Sequence, residues 1–182
     1  MTFLYFAYGS NMLTARLRAR CSSARIAGAG AAMGFDLAFS KASKDGSGKA
    51  TLIAAVDAVT PGVLFEIARA ELRALDRAEG LGSGYERLDD FTIRHAATGA
   101  SVSVTTYRAT ATDHALMPYD WYLALVIAGA RRHDLDAGHI DRLLQIQYVV
   151  DPDRDRAGRR EAMSALLSEG IDDYQRLWES KR

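Results

Sequence analysis

The chain has 182 residues, 48% of them hydrophobic and 25% charged, which fits one globular domain with a full core and excludes wholesale disorder. Its 23 Lys and Arg balance 23 Asp and Glu, and a net charge of zero argues against broad, charge-driven binding to nucleic acid. A single cysteine, Cys21, permits no intramolecular disulfide and points to a reducing, cytoplasmic setting. No apolar run approaches the ~20 residues that cross a bilayer, so no membrane association is expected. The start of the chain has neither a basic segment nor a small-residue cleavage site. Abundant Ala and Arg beside few Lys reads as a high-GC bacterial composition.

In chain order, residues 2–8 read as a buried strand. A Gly9-Ser10 turn breaks it, and a short helix over 11–19 follows, capped by Ser10 or Asn11. Two strands, 24–31 and 34–40, lead to a polar loop at 41–48 with Asp45-Gly46 as its turn. Strands 49–57 and 62–67 are divided by Thr60-Pro61-Gly62. An amphipathic helix over 69–78 turns Leu72 and Leu75 inward, and a glycine-rich loop follows at 80–84. Strands 85–95 and 100–110 alternate and join at Thr98-Gly99 as a hairpin. Beyond Pro118 the pattern is helical: 119–133, 137–147 capped by Asp134 or Asp136, 155–169 stopped by Gly170, and 171–180. A β-rich first part and a helical remainder make an α+β chain. The strands do not alternate with crossover helices, so a compact mixed sheet or small barrel flanked by helices is expected.

Several apparent motifs fail. Gly48-Lys49 lacks the other P-loop positions, which are Ser43 and Ala50, and it leads into a strand. Gly28, Gly30 and Gly34 do not have dinucleotide-binding spacing. His95, His114, His133 and His139 form no pair at helical spacing and read as surface or strand-end histidines, so neither a metal nor a cofactor is expected. Cys21 reads as a partly buried thiol, Lys41 and Ser43 as a solvated loop, and the charge run from Asp151 to Arg160 as a solvated helix face.

Two places carry chemistry. A strand, a glycine turn and a helix start at Tyr8-Gly9-Ser10-Asn11-Met12 aim backbone N–H groups at one spot, where a carboxylate or phosphate could dock. Glu79 ends a helix, where a negative charge is unfavourable, and Gly80, Gly82 and Gly84 permit close backbone approach.

The ordered set Tyr8-Gly9-Ser10-Asn11-Met12, Leu75-Asp76-x-x-Glu79-Gly80, Ser83-Gly84-Tyr85, then Tyr122 with Ile127-Ala128-Gly129-Ala130, resembles the γ-glutamylcyclotransferase family. The resemblance runs over residues 3–135. It divides the chain into a domain at 1–135 and a helical C-terminal extension at 136–182 packed on it. It implies a small mixed β-barrel with flanking helices, in an enzyme of glutathione-type metabolism. The reaction it implies is cyclisation of a γ-glutamyl amino acid or amine to 5-oxoproline with release of the amine. Glu79 would be the general acid/base, with its pKa raised by desolvation and the helix end. Tyr8, Gly9, Ser10, Asn11, Met12, Tyr85 and Tyr122 would bind the substrate. The alternatives are a biosynthetic γ-glutamylamine cyclotransferase, or a non-catalytic module that binds a small acidic metabolite. The partner expected is the small γ-glutamyl substrate, in a monomer or homodimer.

Overall fold

The structure is a computed structural model and describes residues 1–179. Five strands form a closed barrel: β1 (Thr2–Ala7), β2 (Arg25–Ala42), β3 (Gly48–Ala68), β4 (Tyr85–His95) and β5 (Ser101–Ala109), in the order β1-β3-β2-β4-β5. Neighbours are antiparallel except at the seam, where β1 meets β5 in parallel at Tyr5 and Thr105. Closure leaves no long edge strand to pair with another chain.

The expected breaks at 32–33 and 58–61 are not strand ends. The pairs 24–31/34–40 and 49–57/62–67 are the single strands β2 and β3, which bend at register shifts such as that between Met33 and Phe35. Pro61 remains inside β3 opposite Ala31. The hairpin between β4 and β5 turns where expected, at 96–100, with the Gly99 N–H on the His95 carbonyl.

The segment read as one helix over 11–19 is a 3-10 turn, Ser10–Met12, followed by α1 (Thr14–Arg18). Neither start has a side-chain cap: Ser10 and Asn11 spend their side chains on other partners. Helix α2 (Leu72–Glu79) follows a 3-10 turn at Arg69–Glu71. Gly80 takes the left-handed conformation that stops α2, with φ at 73°. The Leu81 N–H then closes on the Asp76 carbonyl, as in a Schellman end.

Helix α3 (Asp120–Arg132) is buried from Asp120 through Ala130, as expected of a helix that is apolar almost all round. It packs on the 3-10 turn and on β3, and it carries α4 (Ala137–Leu144) and α5 (Ala157–Ser168). Asp136 caps α4 by accepting from the His139 N–H. The expected helix 171–180 is only α6 (Arg176–Glu179), and position 180 lies outside the described residues, as does the end of the 136–182 segment.

Four readings of single residues are corrected by burial. Asp151 is not part of a solvated helix face. It is 2% exposed and accepts from Trp121 Nε1 at 2.8 Å and from Arg156 Nε at 2.7 Å. This fixes the chain before α5 to α3, helped by the Asp151 N–H, which donates to Asp120, while the Tyr174 hydroxyl ties the chain after α5 to the same Asp120. His139 is buried instead of on the surface, and Cys21 is wholly buried, its thiol pushed up to about 11 by burial. Lys41 is not in a solvated loop: it lies near the end of β2, just before Ala42, buried, with its Nζ 4.9 Å from the Tyr85 ring centre. Among the described residues no helix is long and apolar enough to cross a membrane.

Candidate active site

Each residue of the Leu75-Asp76-x-x-Glu79-Gly80 stretch has a separate task. Leu75 is wholly buried and seats α2 on the core. Asp76 accepts two hydrogen bonds from Arg87 Nη1 on β4, at 2.7 and 2.9 Å, and one from the Tyr107 hydroxyl on β5 at 2.7 Å. Those bonds lash the helix to the barrel. Glu79, one turn on, is the last helical residue, and Gly80 ends the helix behind it.

The Glu79 carboxylate faces a narrow cleft lined by Tyr5, Tyr8, Gly9, Ser10, Asn11 and Ala50, with Tyr85, Tyr107 and Tyr122 completing the wall. Its Oε1 accepts from Asn11 Nδ2 at 2.5 Å and from Arg20 Nη1 at 3.3 Å. Arg20 Nη1 also donates to Asn11 Oδ1 at 2.9 Å, so the three side chains close a triangle. A carboxylate at a helix C-terminus is thus offset by an arginine and an amide.

The phenols keep their protons. Burial first, and then the charge of Glu79, push Tyr5 and Tyr8 well above the ordinary phenol range. Burial does the same to Tyr85 and Tyr122. Ala50 clamps two of them: its N–H donates to the Tyr122 hydroxyl at 3.1 Å, and its carbonyl accepts from the Tyr85 hydroxyl at 2.7 Å. The Tyr8 hydroxyl donates to the Tyr107 carbonyl. The Tyr5 hydroxyl accepts from Asn11 Nδ2 at 3.1 Å. Tyr5 and Tyr122 therefore hold O–H donors that can turn toward a ligand.

Of the residues expected here, the structure brings Glu79, Tyr8, Gly9, Ser10, Asn11, Tyr85 and Tyr122 together around one cleft. It places Met12 elsewhere. Met12 is wholly buried under α3, where a Cβ on Gly129 would lie 2.7 Å from its own Cβ. Gly9 is bare for a like reason, because a Cβ there would come within 2.9 Å of Ala50 Cβ. The glycines after Glu79 do not line the cleft. Gly80 and Gly82 face open space and serve the backbone turn.

Sequence reasoning missed Tyr5, Tyr107, Ala50, Arg16 and Arg20. The available signal was the spacing of Arg16 and Arg20, four positions apart and so on one face of the turn after Asn11. Among the described residues no group of three or more His, Cys, Asp or Glu stands ready to hold a metal ion.

Comparison with known proteins agrees with this geometry. The AIG2-like family profile matches residues 60–143. A human protein named γ-glutamylcyclotransferase is 28% identical over 151 residues, covering 80% of this chain and 79% of that one. The chain is thus similar in sequence to γ-glutamylcyclotransferases, which are enzymes. A mouse γ-glutamylcyclotransferase is 25% identical over 174 residues, covering 93% of this chain and 89% of its own length. A solved γ-glutamyl cyclotransferase shares the fold with a TM-score of 0.81 at 24% identity, over 90% of this chain and 99% of that one. The crystal structure of an uncharacterized human protein superposes with a TM-score of 0.80 at 25% identity, covering 90% and 98%. The barrel with its flanking helices is thus the γ-glutamylcyclotransferase-like fold, as the sequence resemblance implied.

Proposed function

We propose that the protein cyclises γ-glutamyl compounds to 5-oxoproline and releases the amine, with Glu79 moving the protons. The observation that carries this reading is the Glu79 carboxylate, held by Asn11 and Arg20 at the mouth of a cleft walled by neutral phenols. The substrate α-amine has a pKa near ~8 and is mostly protonated at neutral pH. Glu79 takes a proton from it, and the amine nitrogen then attacks the γ-carbonyl carbon of the same molecule. A C–N bond forms and closes the five-membered ring, with the charge gathered on the former carbonyl oxygen. As the bond to the leaving nitrogen breaks, Glu79 returns a proton to that nitrogen. The two protons shed by the α-ammonium on its way to a lactam N–H end on the departing amine, and no oxidant or co-reactant is required.

The neutral Tyr5 and Tyr122 hydroxyls are placed to donate to the developing oxyanion or to the substrate α-carboxylate. Holding the two reacting ends of one molecule together can supply several of the ~7–11 kcal/mol available from proximity. The empty cleft has a volume of about 30 Å³, room for about one water, so substrate must displace the side chains at its mouth. Arg20, whose side chain is one-fifth exposed, stands there tied to Glu79.

The test is 5-oxoproline release from a panel of γ-glutamyl amino acids and amines. Glu79→Gln preserves shape and the Asn11 contact but cannot take a proton. A folded variant is expected to lose about 10²- to 10⁴-fold in kcat. Turnover near that of the wild type would remove Glu79 from this role.

A further inference from the structure

Beside the cleft lies a second hollow, an open groove of about 650 Å³ between α1 and α5. That is well within the range of ~300–1,000 Å³ typical of small-molecule sites. Small side chains, among them Ala19, Ala78 and Ala165, leave it open, and Ser164 and Ser168 give its α5 wall two hydroxyls. Two arginines join groove and cleft. Arg20 lines the groove and bonds Glu79. Arg16 lines the groove and donates from Nε to the hydroxyl of Ser10, a cleft residue, at 3.2 Å.

Arg16 is the unusual group. It is 8% exposed, yet among the described residues no carboxylate stands within ion-pair distance of it. Burial, then the neighbouring charge of Arg20, lower its pKa to about 10. A buried cation without a counter-charge is costly unless something supplies one. Glu161 lies on the exposed α5 rim of the groove, where solvent screens it.

We propose that this groove receives the leaving portion of a γ-glutamyl peptide, two residues or longer, and that Arg16 pairs with its terminal carboxylate. The inference rests on Glu79 being the proton-transferring group. The leaving nitrogen must face Glu79 to be protonated, and the adjacent Ala78 already lines the groove, so the rest of the leaving portion runs into it. A single small amino acid would leave most of the volume to water. An arginine fork matches a carboxylate in two parallel hydrogen bonds, which gives direction as well as charge.

The test compares γ-Glu-Ala-Gly, its C-terminal amide and γ-Glu-Ala as sources of 5-oxoproline, using the full chain. The wild type is expected to favour the tripeptide acid over the amide by on the order of 10- to 100-fold in kcat/KM, mostly through KM, and over γ-Glu-Ala as well. Arg16→Met should erase the acid-over-amide ratio, and Arg16→Lys should keep part of it. Equal use of acid and amide by the wild type overturns the proposal. So does a preference that survives Arg16→Met, or an equal loss on both substrates, which would assign Arg16 to the α-carboxylate instead. Calorimetric titration with free Ala-Gly and Ala-Gly amide reads the groove without chemistry. If no substrate yields 5-oxoproline but Ala-Gly still binds in preference to its amide through Arg16, the reaction is wrong and the groove stands. Absence of acid-selective binding removes the groove assignment whatever the chemistry shows.

Discussion

Asn11 holds Glu79 from across the fold: its Nδ2 stands 2.5 Å from Oε1 of a carboxylate 68 positions later in the chain. The same amide also donates to the Tyr5 hydroxyl, and its oxygen accepts from Arg20. Asn11 therefore sets where the carboxylate points, whether or not it also touches substrate. Asn11→Ala is expected to lower kcat for 5-oxoproline release by on the order of 10- to 100-fold, since small misplacements of a reacting group are that costly. Asn11→Asp should be worse, because it sets a second carboxylate against the first. Steady-state kinetics on a single γ-glutamyl substrate, with circular dichroism to confirm folding, decides this. Full activity in Asn11→Ala would show that Arg20 and the helix end suffice to place Glu79.

Gly129 lies on the face of α3 that meets the chain just after the glycine turn. A Cβ there would approach the Leu13 nitrogen and Met12 Cβ to 2.7 Å, and the Met12 carbonyl carbon to 2.8 Å. Two of those three atoms are backbone, so no rotamer change relieves the contact. Gly129→Ala is expected to cost about 1–3 kcal/mol, as overpacking of a core does. For a chain of this length that lowers Tm by about 2–4 °C for each kcal/mol. It should also lower activity, because the displaced segment carries Ser10 and Asn11 into the cleft. Thermal unfolding and kinetics on one preparation test both effects. An unchanged Tm would mean that α3 can retreat from the turn without cost.

These two positions show how much of the molecule was legible in the sequence. The glycine turn and the helix ending in Glu79-Gly80 could be read locally, because a strand, a turn and a helix end each have short-range signatures. The inward turn of Leu75 followed from helical spacing alone. The pairing of Asn11 with Glu79 could not be read that way, since it depends on α2 and the 3-10 turn meeting across the barrel. Tyr5 was hidden inside an apolar run, where its hydroxyl gave no sign that Asn11 would reach it. The long strands β2 and β3 were divided at Pro61 and at the glycines because local propensity marks those residues as breaks. Closure of the barrel keeps both strands continuous and spends the irregularity on register shifts. The charge run after residue 150 looked solvated because spacing alone does not reveal that Asp151 turns inward to Trp121.

Asp151 ties the segment before α5 to α3, and its loss should loosen that wall of the groove. Burial alone would raise its pKa, but hydrogen bonds from Arg156 and Trp121 hold the carboxyl below its ordinary value of 3.8. Asp151→Ala strands Trp121 Nε1 and the Arg156 guanidinium, and is expected to cost about 2–3 kcal/mol. The sign with pH follows from the lowered value. The unfolded chain takes up a proton at this residue before the folded one does, so the stabilisation is complete above the ordinary value. It is lost as pH falls through 3.8 and below. Urea unfolding of wild type and Asp151→Ala at pH 7 and pH 3 should show the gap narrowing at the lower pH. A gap of constant size would mean that the carboxylate charge contributes nothing to the anchor.

His139 titrates in a different window. Its ring packs at the start of α4, 3% exposed, and among the described residues Nε2 has no hydrogen-bond partner. Burial, and then the charge of Arg142, lower its pKa to about 4, while Asp136 and Asp36 oppose the shift. In the unfolded chain the imidazole protonates near its ordinary 6.5. Between that value and about 4 the unfolded state binds a proton that the folded state does not. Stability therefore falls as pH drops through this window, by up to about 3 kcal/mol from this one group. His139→Leu removes both the titration and the unpartnered nitrogen. It should be more stable than the wild type at pH 5 and should flatten the dependence of unfolding free energy on pH between 7 and 4. Equilibrium urea unfolding across that range measures the two slopes. Parallel slopes would show that His139 gains its proton in the folded protein as readily as in the unfolded one, through an opening of α4.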